Sequence, residues 1–177
     1  TTGASNVLIG SGAGVATLLV GSTVIIGKGA GAGVMTADAD GTVAIGALAG
    51  AAITSGAQNT AIGYGSLDAQ TTGDNNTAVG YNALTANVTG DNVGNNTAIG
   101  HTAGAAIIGG YSNTIIGAKA GSSGSNDLTT GSNNTVIGYN AAASAVDAMD
   151  EITLGDTNVD TLRCGTSTIA ALSDRRD

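Results

Sequence analysis

The chain has 177 residues, of which 30 are glycine and four are tyrosine, with no proline, tryptophan or phenylalanine, and a formal charge of −8. Five lysines and arginines cannot supply the basic patch that phosphates require, which excludes nucleic acid as a partner. Hydrophobic residues reach 42% and charged ones only 10%, against about 25% charged in ordinary soluble domains, so the core must be built from Val, Ile, Leu and Ala, and many neutral residues must pack against something.

The opening TTGASN has neither Met nor the basic flank of a signal peptide and reads as the start of a fragment or of a processed product. No run of eighteen apolar residues follows, so no membrane insertion is expected. The single cysteine, Cys164, excludes an internal disulfide framework.

From residue 10 onward the chain repeats itself. Glycines closing an "xIG"-like triplet fall at Gly10, Gly27, Gly46, Gly63, Gly80, Gly100, Gly117, Gly138 and Gly155, with spacings of 17, 19, 17, 17, 20, 17, 21 and 17. The surplus residues lie in TADADG, TGDNVG and SGSNDLTTG, whose Gly, Asn and Asp mark turns. A fixed period with insertions confined to turns is the signature of a solenoid. The glycine density and the lack of a 3.6-residue period exclude helices.

Each repeat opens on a short strand. Three residues before the glycine stand Val7, Val24, Val43, Thr60, Thr77, Thr97, Thr114, Thr135 and Ile152, and one residue before it Ile9, Ile26, Ile45, Ile62, Val79, Ile99, Ile116, Ile137 and Leu154. Positions two apart share a face of a strand, and this larger, β-branched face is expected to fill the coil interior. The position between them, Leu8, Ile25, Ala44, Ala61, Ala78, Ala98, Ile115 and Val136, is also apolar, which reads as a strand buried on both faces. These eight residues are therefore expected to meet sister chains at close backbone approach. Three residues past the glycine the chain is uniformly small, from Ala13 to Ala141, as a narrow tube with sharp corners requires. The expected architecture is an all-β, parallel β-solenoid of about nine short coils, a quasi-one-dimensional rod of roughly 40 Å. Residues 1–155 are expected to form this repeat domain and residues 156–177 a C-terminal capping segment.

Few residues suggest chemistry. Asp38 and Asp40 alternate as calcium ligands do, but no other turn repeats the pair, and they read as solvated turn residues. The row Asn59, Asn76, Asn96, Asn113 and Asn134 reads as a hydrogen-bonded structural ladder, which makes the Asn75-Asn76-Thr77 sequon incidental. Tyr64, Tyr81 and Tyr139, with His101 at the equivalent place, form one outward row where tyrosine faces could contact a glycan. His101 has no partner by spacing and reads as packing. Asp68 with Asp74, or Asp147, Asp150 and Glu151, give no sign of converging into a glycosidase pair. Gly10, Gly12 and Gly14 imitate a phosphate loop without the helix it needs. No catalytic, metal or cofactor site is expected, and the protein is not expected to be an enzyme.

Two resemblances add to this reading. The NTAIGYxAL pattern at residues 59–67 and 76–84, loosened in the other coils across residues 4–155, is similar to the SVAIGxxAxA repeat of YadA-type trimeric autotransporter adhesin heads. That likeness implies a homotrimeric, left-handed parallel β-roll. Residues 152–177, ITLGDTNVDTLRCGTSTIAALSDRRD, resemble the part of phage tail fibres and tailspikes that runs into an endosialidase-type intramolecular chaperone. Such chaperones open with LSDxR and cut themselves off at a Ser-Asp junction, which implies a cleavage junction at Ser173-Asp174; the sequence reaches Asp177, short of a chaperone body.

Together these features imply a structural or adhesive component of a viral tail fibre. It would be an extracellular, virion-borne homotrimeric rod that spaces or presents binding to a host glycan or protein receptor and joins other fibre or tail proteins. A bacterial adhesin head and a polysaccharide-degrading tailspike are the alternatives. An ice-binding solenoid would need the threonine row outside, whereas this phase of the strand turns it inward.

Overall fold

A computed structural model describes residues 5–16, 20–86, 94–124 and 126–160, and all structural statements concern these. They form one nine-stranded parallel sheet in strict sequence order: β1 (Val7–Ile9), β2 (Val24–Ile26), β3 (Val43–Ile45), β4 (Thr60–Ile62), β5 (Thr77–Val79), β6 (Thr97–Ile99), β7 (Thr114–Ile116), β8 (Thr135–Ile137) and β9 (Ile152–Leu154). Each strand pairs only with its sequence neighbours, and every pairing matches like position to like, as in Thr60↔Thr77 and Ala61↔Ala78. The chain is thus a parallel β-solenoid of about eight turns, each turn carrying one strand to its place beside the next. Apart from one 3-10 turn at Ala37–Ala39, the described residues contain no helix.

The strand phase is the reverse of the sequence expectation. Ile25, Ala44, Ala61, Ala78, Ala98, Ile115 and Val136, expected at a contact between chains, are completely buried within the single chain. Leu8 continues their column on β1, the first strand of the sheet among the described residues, and is 45% exposed. Ile9, Ile26, Ile45, Ile62, Val79, Ile99, Ile116, Ile137 and Leu154, expected in the coil core, flank that column and are half-buried or exposed. Alternation in a strand is strict, so an error of one residue in phase moves every side chain to the opposite face. The error came from taking bulk as the mark of the interior. A coil this narrow has room on the strand side for one side chain per three-residue strand, and in four consecutive coils that side chain is alanine.

The rest of the interior is filled from the opposite wall, and it is filled in two ways. In β3's coil, Gly50 is followed three residues later by the fully buried Ile53; in β6's coil, Gly104 is followed by the buried Ile107. A side chain at Gly50 would meet the Ile53 Cδ1 atom at 2.8 Å. In β4's coil the large residue comes first, as Leu67, and the position three later is Gln70. One apolar residue of similar size fills the same space from either site, as near-constant packing density demands. Leu67 and Leu84 take this inward place at a backbone φ of 50°, a strained value for leucine that their burial offsets.

A buried polar column fixes the register. Asn59, Asn76, Asn96, Asn113 and Asn134 are buried just before their strands, as the sequence suggested. Each Oδ1 accepts from the next coil's backbone: from Asn76 N at 2.8 Å, Asn96 N at 3.1 Å, Asn113 N at 3.1 Å, Asn134 N at 3.0 Å and Glu151 N at 3.0 Å. The Nδ2 groups of Asn59, Asn96, Asn113 and Asn134 donate across the coil to the carbonyls of Gly73, Gly110, Gly131 and Ala148. Asn76 Nδ2 finds no acceptor among the described residues. Each asparagine therefore ties its coil to the next, and all but Asn76 also join the two walls of their own coil.

Candidate functional site

With the interior so assigned, the surface that calls for explanation is the outward face of the sheet. It consists of two rows, Val7 through Ile152 and Ile9 through Leu154, made only of Val, Thr, Ile and Leu, with no charged residue in either. Ile62, Ile99, Ile116 and Ile137 remain 36–41% exposed although each is packed between neighbours. Eight inter-strand steps at about 4.8 Å give the band a length near 38 Å. An uncharged band this regular, in a chain carrying thirteen acidic residues, differs from the singly scattered apolar residues that any surface shows.

Next to this face, one residue past each closing glycine, runs the aromatic row. Tyr64 and Tyr81 stack with ring centroids 5.4 Å apart and planes at 11°, and Tyr81 stacks on His101 at 5.2 Å and 9°. The row is outward, as expected, and His101 is the third ring of the stack. Tyr139 stands in the same column but not in the stack, because Ala118 occupies the intervening coil. Its ring is 67% exposed, against 50% for Tyr64 and 49% for Tyr81.

The acidic residues pin turns. Asp40 Oδ1 accepts from Gly21 N at 2.6 Å, Asp74 Oδ1 from Ala57 N at 2.7 Å, and Asp68 Oδ1 from Thr85 Oγ1 at 2.5 Å. Asp38 accepts weakly from Thr36 Oγ1 at 3.4 Å. Asp150 Oδ1 accepts from Asn133 Nδ2 at 2.6 Å, and Glu151 caps the far end of the asparagine column. The Ser144 hydroxyl, donating to Glu151 Oε2 at 2.5 Å, is the main cause that holds this carboxyl below its usual range; partial burial opposes it, and Thr153 Oγ1 and Ser144 N add to it. Among the described residues no three His, Cys, Asp or Glu side chains cluster as metal ligands would, and no helix is long and apolar enough to cross a membrane.

A hollow of about 440 Å³ opens at the β9 end, lined by Ser123, Asn140, Ala142, Thr153, Leu154, Gly155, Asp156 and Thr157. Asp156 is its one titratable residue, held below the usual carboxylate range first by the backbone N–H of Asn158 and then by that residue's side chain. Among the described residues lining it, no second acid or base stands beside Asp156 as a glycosidase pair would require. Cys164 and the Ser173-Asp174 junction lie outside the described residues.

Comparison with protein-family models, with curated proteins and with solved structures finds no match to this chain.

The stacked rings and the capped Glu151 were missed by sequence reasoning for different reasons. The stack follows from the repeat register, which was in hand. The Ser144–Glu151 pair joins residues seven apart across an irregular turn, and no spacing announces it.

Proposed function

We propose that the chain is a segment of a homotrimeric viral tail fibre, a left-handed rod at the virion surface that spaces or presents host-receptor binding. The uncharged outward face of the sheet carries the reading. Two rows of Val, Thr and Ile running the length of a solenoid are costly to leave in water, at about 25 cal/mol per Å² of apolar surface, and a second and third copy of the same face would cover them. Around a threefold axis each height of one copy meets the same height of the next, and the like-to-like stacking within the chain keeps each outward row one residue class along its length, which suits such an arrangement. The contact between chains therefore moves from the alanine column to the rows of Ile26, Ile45, Ile62, Val79, Ile99, Ile116 and Ile137 and their Val and Thr partners. The likeness of the repeats to YadA-type heads supports three copies and the handedness, and the LSDRR stretch supports a viral setting with release of a chaperone at Ser173-Asp174. In this role the protein needs no cofactor, is not an enzyme, and meets other fibre proteins and a host glycan or protein.

Sedimentation tests it. A species of three times the 16.8 kDa chain, reduced to single chains by Ile62→Lys together with Ile99→Lys, is the expected result; a single well-ordered chain overturns it. The bacterial adhesin head shares the trimer and is separated by what the reading frame encodes downstream, a membrane anchor or a chaperone. A polysaccharide-degrading tailspike would release oligosaccharides from host capsule.

One observation favours a second reading. Thr60, Thr77, Thr97, Thr114 and Thr135 lie on the outward face in register, so the objection that the threonines are turned inward no longer holds against an ice-binding solenoid. The neighbouring row is Ile or Val in every one of these coils, which suits burial against protein. Inhibition of ice growth by a monomeric preparation would select this second reading.

A further inference from the structure

The aromatic column has a missing rung. His101 on β6's coil and Tyr139 on β8's coil are separated by Ala118, and the backbone keeps its register through all three, with Lys119 N donating to the His101 carbonyl at 2.9 Å and Asn140 N to the Ala118 carbonyl at 2.9 Å. Two coil steps set the flanking rings about 10 Å apart. That is too wide for the rings to touch, yet it leaves room for one saturated six-membered ring, whose mean plane would lie about 5 Å from each aromatic ring with its axial C–H bonds pointing toward them. Among the described residues the ring contact of His101 is with Tyr81, and Tyr139, the most exposed tyrosine of the column, stacks on no other ring. Lys119 directly follows Ala118 and is exposed, and no ion pair involving it occurs among the described residues. It is one of only five basic residues in a chain of net charge −8, and it sits on the same turn as the gap.

We propose that this gap is a binding notch for an acidic pyranose: the sugar ring lies between His101 and Tyr139 over Ala118, and its carboxylate meets the Lys119 ammonium. Aromatic faces are negatively polarised and attract the C–H edges of a sugar, while a carboxylate is drawn to an ammonium that has no acid of its own. The opposite end of the stack provides the contrast. Tyr64 also borders an alanine, Ala47, but the next residue in the column beyond it is Lys28, so there is no second ring to close a notch. The notch is built within one chain; the tail-fibre reading enters only in supplying a cell-surface source for the sugar.

The test titrates the full chain with a hexuronic-acid trisaccharide and with the neutral hexose trisaccharide of the same linkage, following the His101 and Tyr139 ring resonances. The expected result is that both rings shift, with the acidic sugar preferred. Ala118→Tyr, which restores the residue found at this column in three other coils and should fold, is expected to weaken acidic-sugar binding about tenfold or more. Ala47→Tyr should leave binding unchanged, and Lys119→Gln should abolish the preference for the acidic sugar. Wild-type affinity in Ala118→Tyr, or titrations in which neither ring responds, overturns the notch. Sedimentation of the same samples separates the two ideas: a lone chain that binds the acidic sugar keeps the notch and overturns the trimer, and a trimer that ignores it does the reverse.

Discussion

Ala61 and Ile62 are neighbours in one strand, yet the alanine is sealed and the isoleucine is 36% exposed. The same inversion holds through β3 to β6, where alanine faces the interior and Ile or Val faces out; in β2, β7 and β8 the inward residue is Ile25, Ile115 or Val136. In a globular domain the larger residue would face the core, because it brings more apolar area out of water. Here the interior is a tube one side chain deep on the strand side, and the wide apolar rows lie on the outer surface. The molecule thus has two apolar faces of different character, one sealed within the chain and the other outward and partly exposed.

Perturbing the two faces should give opposite signatures. The largest effect is expected from the column that locks the inner face: Asn113→Ala strips partners from the Asn134 N–H and the Gly131 carbonyl, at about 1–3 kcal/mol for each buried group left bare, read as a lowered urea midpoint. Next comes Ala78→Leu, which forces extra volume into a site with no free surface and should cost about 1–3 kcal/mol; if it is neutral, the inward phase is wrong. The outward counterpart, Ile99→Lys, should cost a single chain less than about 0.5 kcal/mol while shifting the assembly state in sedimentation. Equal loss of fold in both would erase the distinction between the faces.

The smallest effect concerns the capped end. The folded pKa of Glu151 lies below its ordinary 4.5, so its contribution is present above that value and is lost as pH falls through the lower folded one. Glu151→Gln should therefore flatten the acid limb below pH 4.5 and lower stability slightly near neutrality, where the wild-type carboxylate's contribution is fully present. An identical acid limb in the variant would show that the Ser144 and Thr153 bonds to this carboxylate contribute nothing to stability.

Much of this was legible in the letters. Nine glycines at a period of 17 gave strand number, order and register, because a solenoid has no other way to arrange equal repeats. The asparagine row was legible for the same reason. The phase of the strand was not, since both Ala61 and its flanking Thr60 and Ile62 are compatible with burial, and hydrophobicity alone cannot say which face a narrow tube can hold. The deciding signal lay outside the strand, in the exchange of Gly50 and Ile53 for Leu67 and Gln70. That exchange shows an interior supplied chiefly from the opposite wall, with little room left for isoleucine on every strand. The notch was half legible: the tyrosine column was visible, but its gap matters only once the rings are known to stack.

Sedimentation equilibrium of the purified chain tests the central claim most directly, that the isoleucine and threonine rows are covered by copies of themselves. The account predicts a species of three times 16.8 kDa that falls to single chains when Ile62 and Ile99 are both changed to Lys. A stable, ordered 16.8 kDa species in the unmodified protein would contradict it.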